Sequence, residues 1–324
     1  MRRAIVILVS LSVLAVLVLA VSSLCGSTGC MPVPDVNEMI WQLRAPRVLA
    51  AFAVGGLLAL AGALMQVLLR NPLADPYVLG LSGGAAAGAL MAMLFAIHVG
   101  ISVQHSAGVG AALGAAATVL LLFGLAHRSL RHLPDTPFAA GHRLILTGVM
   151  IASGSGALVT LALSLAPDAQ LRGMIFWLLG DLEGSAFLLP AWIVLTAGAV
   201  WSILNAKSLN LLSRGESFAQ LLGVPVVRLR IMVLCAASLA TAAAVTAAGT
   251  IGFVGLVVPH AIRLVFSNDQ RILLPASVLA GGSFLTIADL LARTAVAPTQ
   301  LPVGVITALV GVPLFLWLLS RSRA

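Results

Sequence analysis

Charge is what this sequence has least of. Asp, Glu, Lys and Arg make up 9% of its 324 residues, against about 25% in an ordinary soluble domain, and the mean hydropathy is +1.11. That scarcity excludes a water-soluble enzyme and a nucleic-acid binder, and continuous apolar runs without period-two alternation exclude a β-barrel porin. Lysine occurs once, as Lys207, and Ala206 stands before it where a phosphate-binding loop requires glycine, so ATP hydrolysis on this chain is excluded as well. The three cysteines make no framework. Cys25 and Cys30 suit either an outer-side disulfide or two separate thiols, and Cys235 reads as helix packing. No polar stretch is long enough for an appended soluble domain, so residues 1–324 read as one transmembrane domain whose longest polar segment is about 205–228.

What remains is apolar helix. A bilayer core of about 30 Å takes roughly 20 residues per helix, and the charge-free runs divide into ten spans near 4–24, 47–69, 78–97, 107–127, 143–166, 186–204, 229–249, 251–266, 272–292 and 300–319. The division inside 231–262 is the least defined. With the N-terminus inside, 14 basic residues fall on the cytoplasmic side, including Arg70, Lys207, Arg214, Arg263 and Arg271. Only Arg44, Arg47, Arg172 and Arg293 fall outside. The bias follows the positive-inside rule and predicts both termini in the cytoplasm. Residues 1–24 also carry features of a signal peptide, but the apolar stretch is longer than usual and the charge count works with it retained. Small residues four apart, as in Gly84 to Gly88 and Gly110 to Gly114, predict a closely packed bundle.

Few polar groups are available for chemistry. No acid or base sits mid-span, as an ion-coupled secondary carrier usually requires; Asp289 lies one turn before Arg293, where an i,i+4 ion pair is the plain reading. The Gly80-Leu81-Ser82-Gly83 run matches the pattern of intramembrane serine proteases. Among 31 glycines such a match arises easily by chance, and no histidine is obviously placed to activate Ser82.

Residues 43–88 carry the most information. Leu43-Arg44-Ala45-Pro46-Arg47 opens a Gly- and Ala-rich span ending at Gln66; Arg70-Asn71-Pro72-Leu73-Ala74-Asp75-Pro76 then breaks the helix, and Leu79-Gly80-Leu81-Ser82-Gly83-Gly84-Ala85 restarts it. Further on stand Trp177-Leu178-Leu179-Gly180, Leu222-Gly223-Val224, Gly252-Phe253-Val254-Gly255-Leu256-Val257-Val258-Pro259-His260, Leu301-Pro302-Val303-Gly304-Val305 and Gly311-Val312-Pro313. In these motifs, in this order, the chain resembles the FecCD-type permeases, membrane subunits of bacterial binding-protein-dependent ABC importers for vitamin B12, ferric siderophores and haem.

The resemblance implies an all-α type II importer permease in the bacterial inner membrane. It implies a homodimer, or a pair with a paralogous permease, with the path between the copies. Two cytoplasmic ATPase subunits would bind ATP, a periplasmic binding protein would deliver the chelate, and this chain would hold no cofactor. Ser82, Gly83, Gly84 and Ala87, with Gln66, are then expected at the path or the partner copy. Residues 213–224 look like the ATPase-coupling segment: Ser213 or Gly215 can cap a short helix, Glu216 suits its first turn, Gly223 can end it, and Phe218, Leu221 and Leu222 share an apolar face. Such a helix could also lie on the membrane surface. Arg44, Arg47 and Arg293 match positions that form a basic pocket for acidic residues of the binding protein. Read without the family, Arg44 and Arg47 suit a helix end anchored at lipid headgroups and Arg293 an ion pair with Asp289.

Overall fold

The computed structural model describes residues 2–26, 29–30, 44–131, 139–182 and 187–321. Leu43, the first residue of the Leu43-to-Arg47 motif, lies outside the described residues. Among the described residues there are thirteen α-helices: α1 (Arg2–Leu24), α2 (Ala45–Leu68), α3 (Leu81–Val99), α4 (Val103–Arg131), α5 (Ala139–Leu165), α6 (Asp168–Leu178), α7 (Leu188–Leu204), α8 (Ala206–Ser213), α9 (Glu216–Leu221), α10 (Val226–Ala248), α11 (Val254–Val265), α12 (Gln270–Thr294) and α13 (Val303–Arg321). A two-strand ladder, β1 (Cys25–Gly26) with β2 (Gly29–Cys30), follows α1 directly. It sets Cys25 opposite Cys30; Cys25 is disulfide-bonded and Cys235 is free.

Seven helices are long and apolar enough to cross a bilayer: α1, α2, α3, α4, α5, α10 and α12. α7 and α8 pass the same test jointly but are bent by 68° at Asn205, and α11 and α13 are shorter apolar helices. These segments fall on the ten ranges expected from sequence. Two short helices were not expected there. α6 occupies what read as a connection, and the 205–228 segment holds α8 as well as the expected short helix, α9.

α2 is the axis of the bundle. Every residue from Ala50 to Leu68 is buried, because α12, α10, α11 and α7 all pack around it. Its sequence allows this: with Gly and Ala spread round the helix, neighbouring backbones come close on every side. The closest crossing is Gly62 on Gly255 of α11, where a Cβ would run into the Gly255 carbonyl. Phe52 stacks on Trp192 of α7 with ring centroids 6.0 Å apart. α1 is the opposite case, its Ile5, Val9, Val13 and Leu17 all facing outward, as a helix at the rim of a membrane bundle must.

α3 and α4 form a second packed unit with α5. Gly84 and Gly88 of α3 sit against Gly114 and Gly110 of α4, so the small-residue spacing serves a seam inside the protomer. The corner between α2 and α3 is irregular, as its prolines require. Asp75 caps the 3-10 turn Pro76–Leu79 by accepting from Tyr77 N at 2.7 Å, and Gly80 takes φ 76° to start α3.

Candidate functional site: a broken-helix junction, a coupling tip and an ionic knot

Three chain breaks meet inside the bundle. α6 stops at Leu178, α10 at Ala248, and α13 starts at Val303; each leaves backbone groups without helical partners. They satisfy one another. Asp181 N donates to Ala248 O at 2.9 Å, Val303 N to Gly180 O at 3.2 Å and Gly304 N to Leu179 O at 3.0 Å, while the Thr250 hydroxyl donates to Leu178 O. Tyr77 closes the fourth side, its hydroxyl donating to Ile251 O at 3.0 Å and accepting from Ile251 N at 3.1 Å. Gly249 is held at φ 68° and Phe253, unusually for a non-glycine, at φ 70°. Irregular backbone is tolerated at membrane depth where protein or a cavity surrounds it, and broken helices are the usual framing of a transport site. The quoted motifs include Leu178, Leu179, Gly180, Val303 and Gly304 but not Tyr77, Asp181, Ala248, Thr250 or Ile251, and only the fold shows that they touch.

The residues expected at the path divide. Gly84 and Ala87 are buried in the α3 seam, and Gly83 meets Ala152 and Ser155 of α5. Gly84 and Ala87 also reach a shallow cavity of about 420 Å³ between α3, α4 and α5, with Thr118 and Ser155 on its wall. Ser82 is half-buried at the start of α3. Gln66 is elsewhere: it is buried near the far end of α2, donating to Leu256 O at 3.2 Å and accepting from Arg263 Nη2 at 3.1 Å. A polar face not singled out from sequence lies on α5, where Ser153, Gly154, Gly156, Thr160 and Ser164 point outward. Their hydroxyls bond back to carbonyls one turn earlier, as in Ser153 to Val149 O and Thr160 to Gly156 O, which lets a polar face stand outside water.

The 213–224 segment is built as the local chemistry predicts. Gly215, at φ 135°, is the N-cap of α9, Glu216 lies in its first turn, and Gly223, at φ 79°, turns the chain after it. Ser213 does not cap; its hydroxyl donates to Asn210 O. Phe218, Leu221 and Leu222 are 44%, 85% and 56% exposed, an apolar tip with no cover. Glu216 binds Arg230 of α10 at 3.3 Å, and the Arg230 side chain is only 6% exposed. A buried guanidinium paired across fourteen residues of sequence leaves no periodic signal, so this strut was not foreseen.

At the opposite end, Asp289 sits fully buried between two arginines. Arg47 Nε and Arg293 Nε each lie 2.9 Å from one of its oxygens. Arg47 also donates to Gln300 Oε1 at 2.8 Å. Arg293 donates to Ser22 Oγ at 2.9 Å and Cys25 O at 3.3 Å, and Arg44 donates to Leu24 O at 2.8 Å. Two cations thus close the carbonyl end of α1, where the helix dipole favours them. The i,i+4 pairing of Asp289 with Arg293 is present, and Arg47 joins it. All three arginines expected at a docking pocket gather here, but Arg44 and Arg293 are buried, at 7% and 4% exposure, and Arg47 alone offers an open edge. Arg172 stands apart, its guanidinium 5.4 Å from the Phe176 ring centroid.

Comparison with known proteins places this architecture. The FecCD transport family matches over residues 3–321. The chain belongs to that family. It is 40% identical over 295 residues to the uncharacterized ABC transporter permease protein YvrB of Bacillus subtilis, covering 90% of this chain and 81% of that protein. It is also 40% identical over 290 residues to the vitamin B12 import system permease protein BtuC of Vibrio cholerae, covering 89% and 84%. Among solved structures, an inward-facing metal-chelate type ABC transporter superposes with a TM-score of 0.84 at 30% identity, over 98% of this chain and 99% of that one. This FecCD protein is therefore a transport permease subunit of the ABC importer class and not an enzyme. Gly80 and Gly83 of the Ser82 motif pack on α5, and the secondary-carrier and protease readings fall.

Proposed function

We propose that this permease imports a metal chelate, a corrinoid, haem or ferric siderophore, across the bacterial inner membrane as a dimer. Two ATPase subunits bind at the α9 end and a periplasmic binding protein docks at the Arg47 end. Both termini are cytoplasmic in this reading, supported by the positive-inside bias of the basic residues. The observation that carries it is the bare apolar tip of α9, braced to α10 by Glu216 and Arg230, on a chain with no nucleotide loop of its own. An exposed hydrophobic tip on a rigid mount suits a partner groove. Movement there passes along α10 to Thr250 and Ile251, whose bonds to Leu178 and Tyr77 hold the junction. The path runs past the hydroxyl and glycine face of α5 and the small residues Ser82, Gly83, Gly84 and Ala87, with Gln66 at the gate of the α9 end. Low stickiness and close backbones suit a bulky ligand that must be released, and no covalent step occurs on this chain.

Reconstitution tests the reading. Proteoliposomes carrying the permease with its cognate ATPase and binding protein should accumulate cyanocobalamin, haemin or a ferric siderophore only with ATP inside the ATPase compartment. Accumulation driven by a proton or sodium gradient without ATP would overturn it.

A further inference from the structure

A cavity of about 690 Å³ opens at the α9 end of the bundle, between α8, the corner after α2 and the start of α12. Its volume is that of a small-molecule site, but its walls are basic. Arg70, Lys207, Arg214, Arg263 and Arg271 all line it, and Asp269 is its one carboxylate. That carboxylate is already engaged. It accepts from Asn210 Nδ2 at 2.7 Å and from Arg271 N at 3.0 Å as the N-cap of α12. Burial pushes the Asp269 carboxyl up, and these hydrogen bonds with the nearby Arg271 charge outweigh burial and hold it below the usual carboxylate range, so it stays ionised and spoken for. Lys207, Arg214 and Arg271 form no ion pair among the described residues.

The rest of the wall is pre-set. Gln66, itself 1% exposed, fixes Arg263 through its carbonyl oxygen while its amide is held by Leu256 O. Asn210 ties α8 to α12, donating to Asp269 and accepting from Gln270 N at 2.9 Å. Lys207, Arg214, Arg263 and Arg271 repel each other in one hollow, and such cations are tolerated together where an anion offsets them. Three of these four are arginines, whose forked donors suit the oxygens of a phosphate. Basic hollows between membrane helices at a membrane face are suited to anionic headgroups.

We propose that this cavity is a binding site for a phosphate-bearing anion, either the headgroup of an anionic lipid or a soluble phosphate compound, held by Lys207, Arg263 and Arg271. Occupancy would bridge α8 to α12 next to the coupling helix. The site does not depend on the substrate or the orientation proposed above.

The test uses the full-length permease in neutral detergent and follows its thermal unfolding midpoint. One arm titrates pyrophosphate against sodium chloride of matched ionic strength; the other titrates phosphatidylglycerol against phosphatidylcholine. One anion should raise the midpoint saturably. Lys207→Gln with Arg271→Gln removes two charge-assisted contacts and should raise the half-saturating concentration at least about tenfold. Lys207→Arg with Arg271→Lys should retain binding, as should Arg228→Gln, an exposed arginine outside the cavity. Protection by pyrophosphate identifies a soluble phosphate ligand; protection by phosphatidylglycerol alone identifies a headgroup. The proposal is overturned if neither anion exceeds its control, as when the cations serve only acidic side chains of a bound partner. It is equally overturned if Arg228→Gln weakens binding as much as the cavity pair.

Discussion

Asp289 and Gly62 are both fully buried, but they answer to different physics. Asp289 is the shared counter-charge of Arg47 and Arg293; without it two guanidinium groups face each other out of water. Removing one partner of such a cluster costs about 3 to 5 kcal/mol. Asp289→Asn should therefore lower the thermal unfolding midpoint in detergent sharply, whereas Glu216→Gln, at a side chain 14% exposed and with one guanidinium rather than two left behind, should lower it less. A Cβ at Gly62 meets the Gly255 carbonyl, so Gly62→Ala must push α11 off α2 and should deplete folded protein in a size-exclusion assay. Gly223 has open space around it, and there only the left-handed backbone resists a side chain, at roughly 1 to 2 kcal/mol. Gly223→Ala should fold.

α9 and α3 show how the same reasoning changes with context. Phe218→Asp leaves α9 and its Glu216 strut in place and alters only the bare tip, so the permease should insert normally yet lose ligand-stimulated ATP hydrolysis and uptake in proteoliposomes. Gly223→Pro cannot take φ 79° and loses the Gly223 N to Gln220 O bond at 2.9 Å, so it should misplace the end of α9 and uncouple uptake while the membrane helices still insert. Normal coupled uptake in either variant would remove α9 from the ATPase contact. Gly84→Leu belongs to the other kind. Its side chain would enter the α4 seam at Thr118 and Gly114, so the loss should appear in yield of folded protein before it appears in transport. Spacing told that Gly84 is a place of close approach, but not whether the neighbour is a second copy or α4 of the same chain. The spans were legible because lipid demands long apolar runs, and α9 because capping chemistry is local. α6, the place of Arg47 in the Asp289 knot and the Tyr77 contact were not, since each depends on groups more than a hundred residues apart meeting in space or on an amphipathic piece too short to stand out.

Across the molecule, charge is segregated to the two ends, and each end makes its own use of it. At the α1 end the arginines are largely spent on holding α1, α2 and α12, leaving Arg47 as the edge that an acidic binding protein can meet. Arg47→Glu should weaken docking of the cognate binding protein most at low ionic strength, by at least about tenfold if the contact is desolvated, and reversal of the matching acid on that protein should restore part of it. Unchanged docking would return Arg47 to a purely internal role. Between the ends, α11 has a consequence for how the chain is made. Twelve residues rise only about 18 Å, too little to cross a bilayer alone. During synthesis this segment has no means of partitioning into lipid by itself, and it must wait for α2 to be in place so that Gly62 can receive Gly255. Stable placement of this segment is thus expected to lean on the first half of the protein, and a topology reporter fused just after Val265 should give a uniform signal in the native sequence and a mixed one in a Gly62→Leu variant.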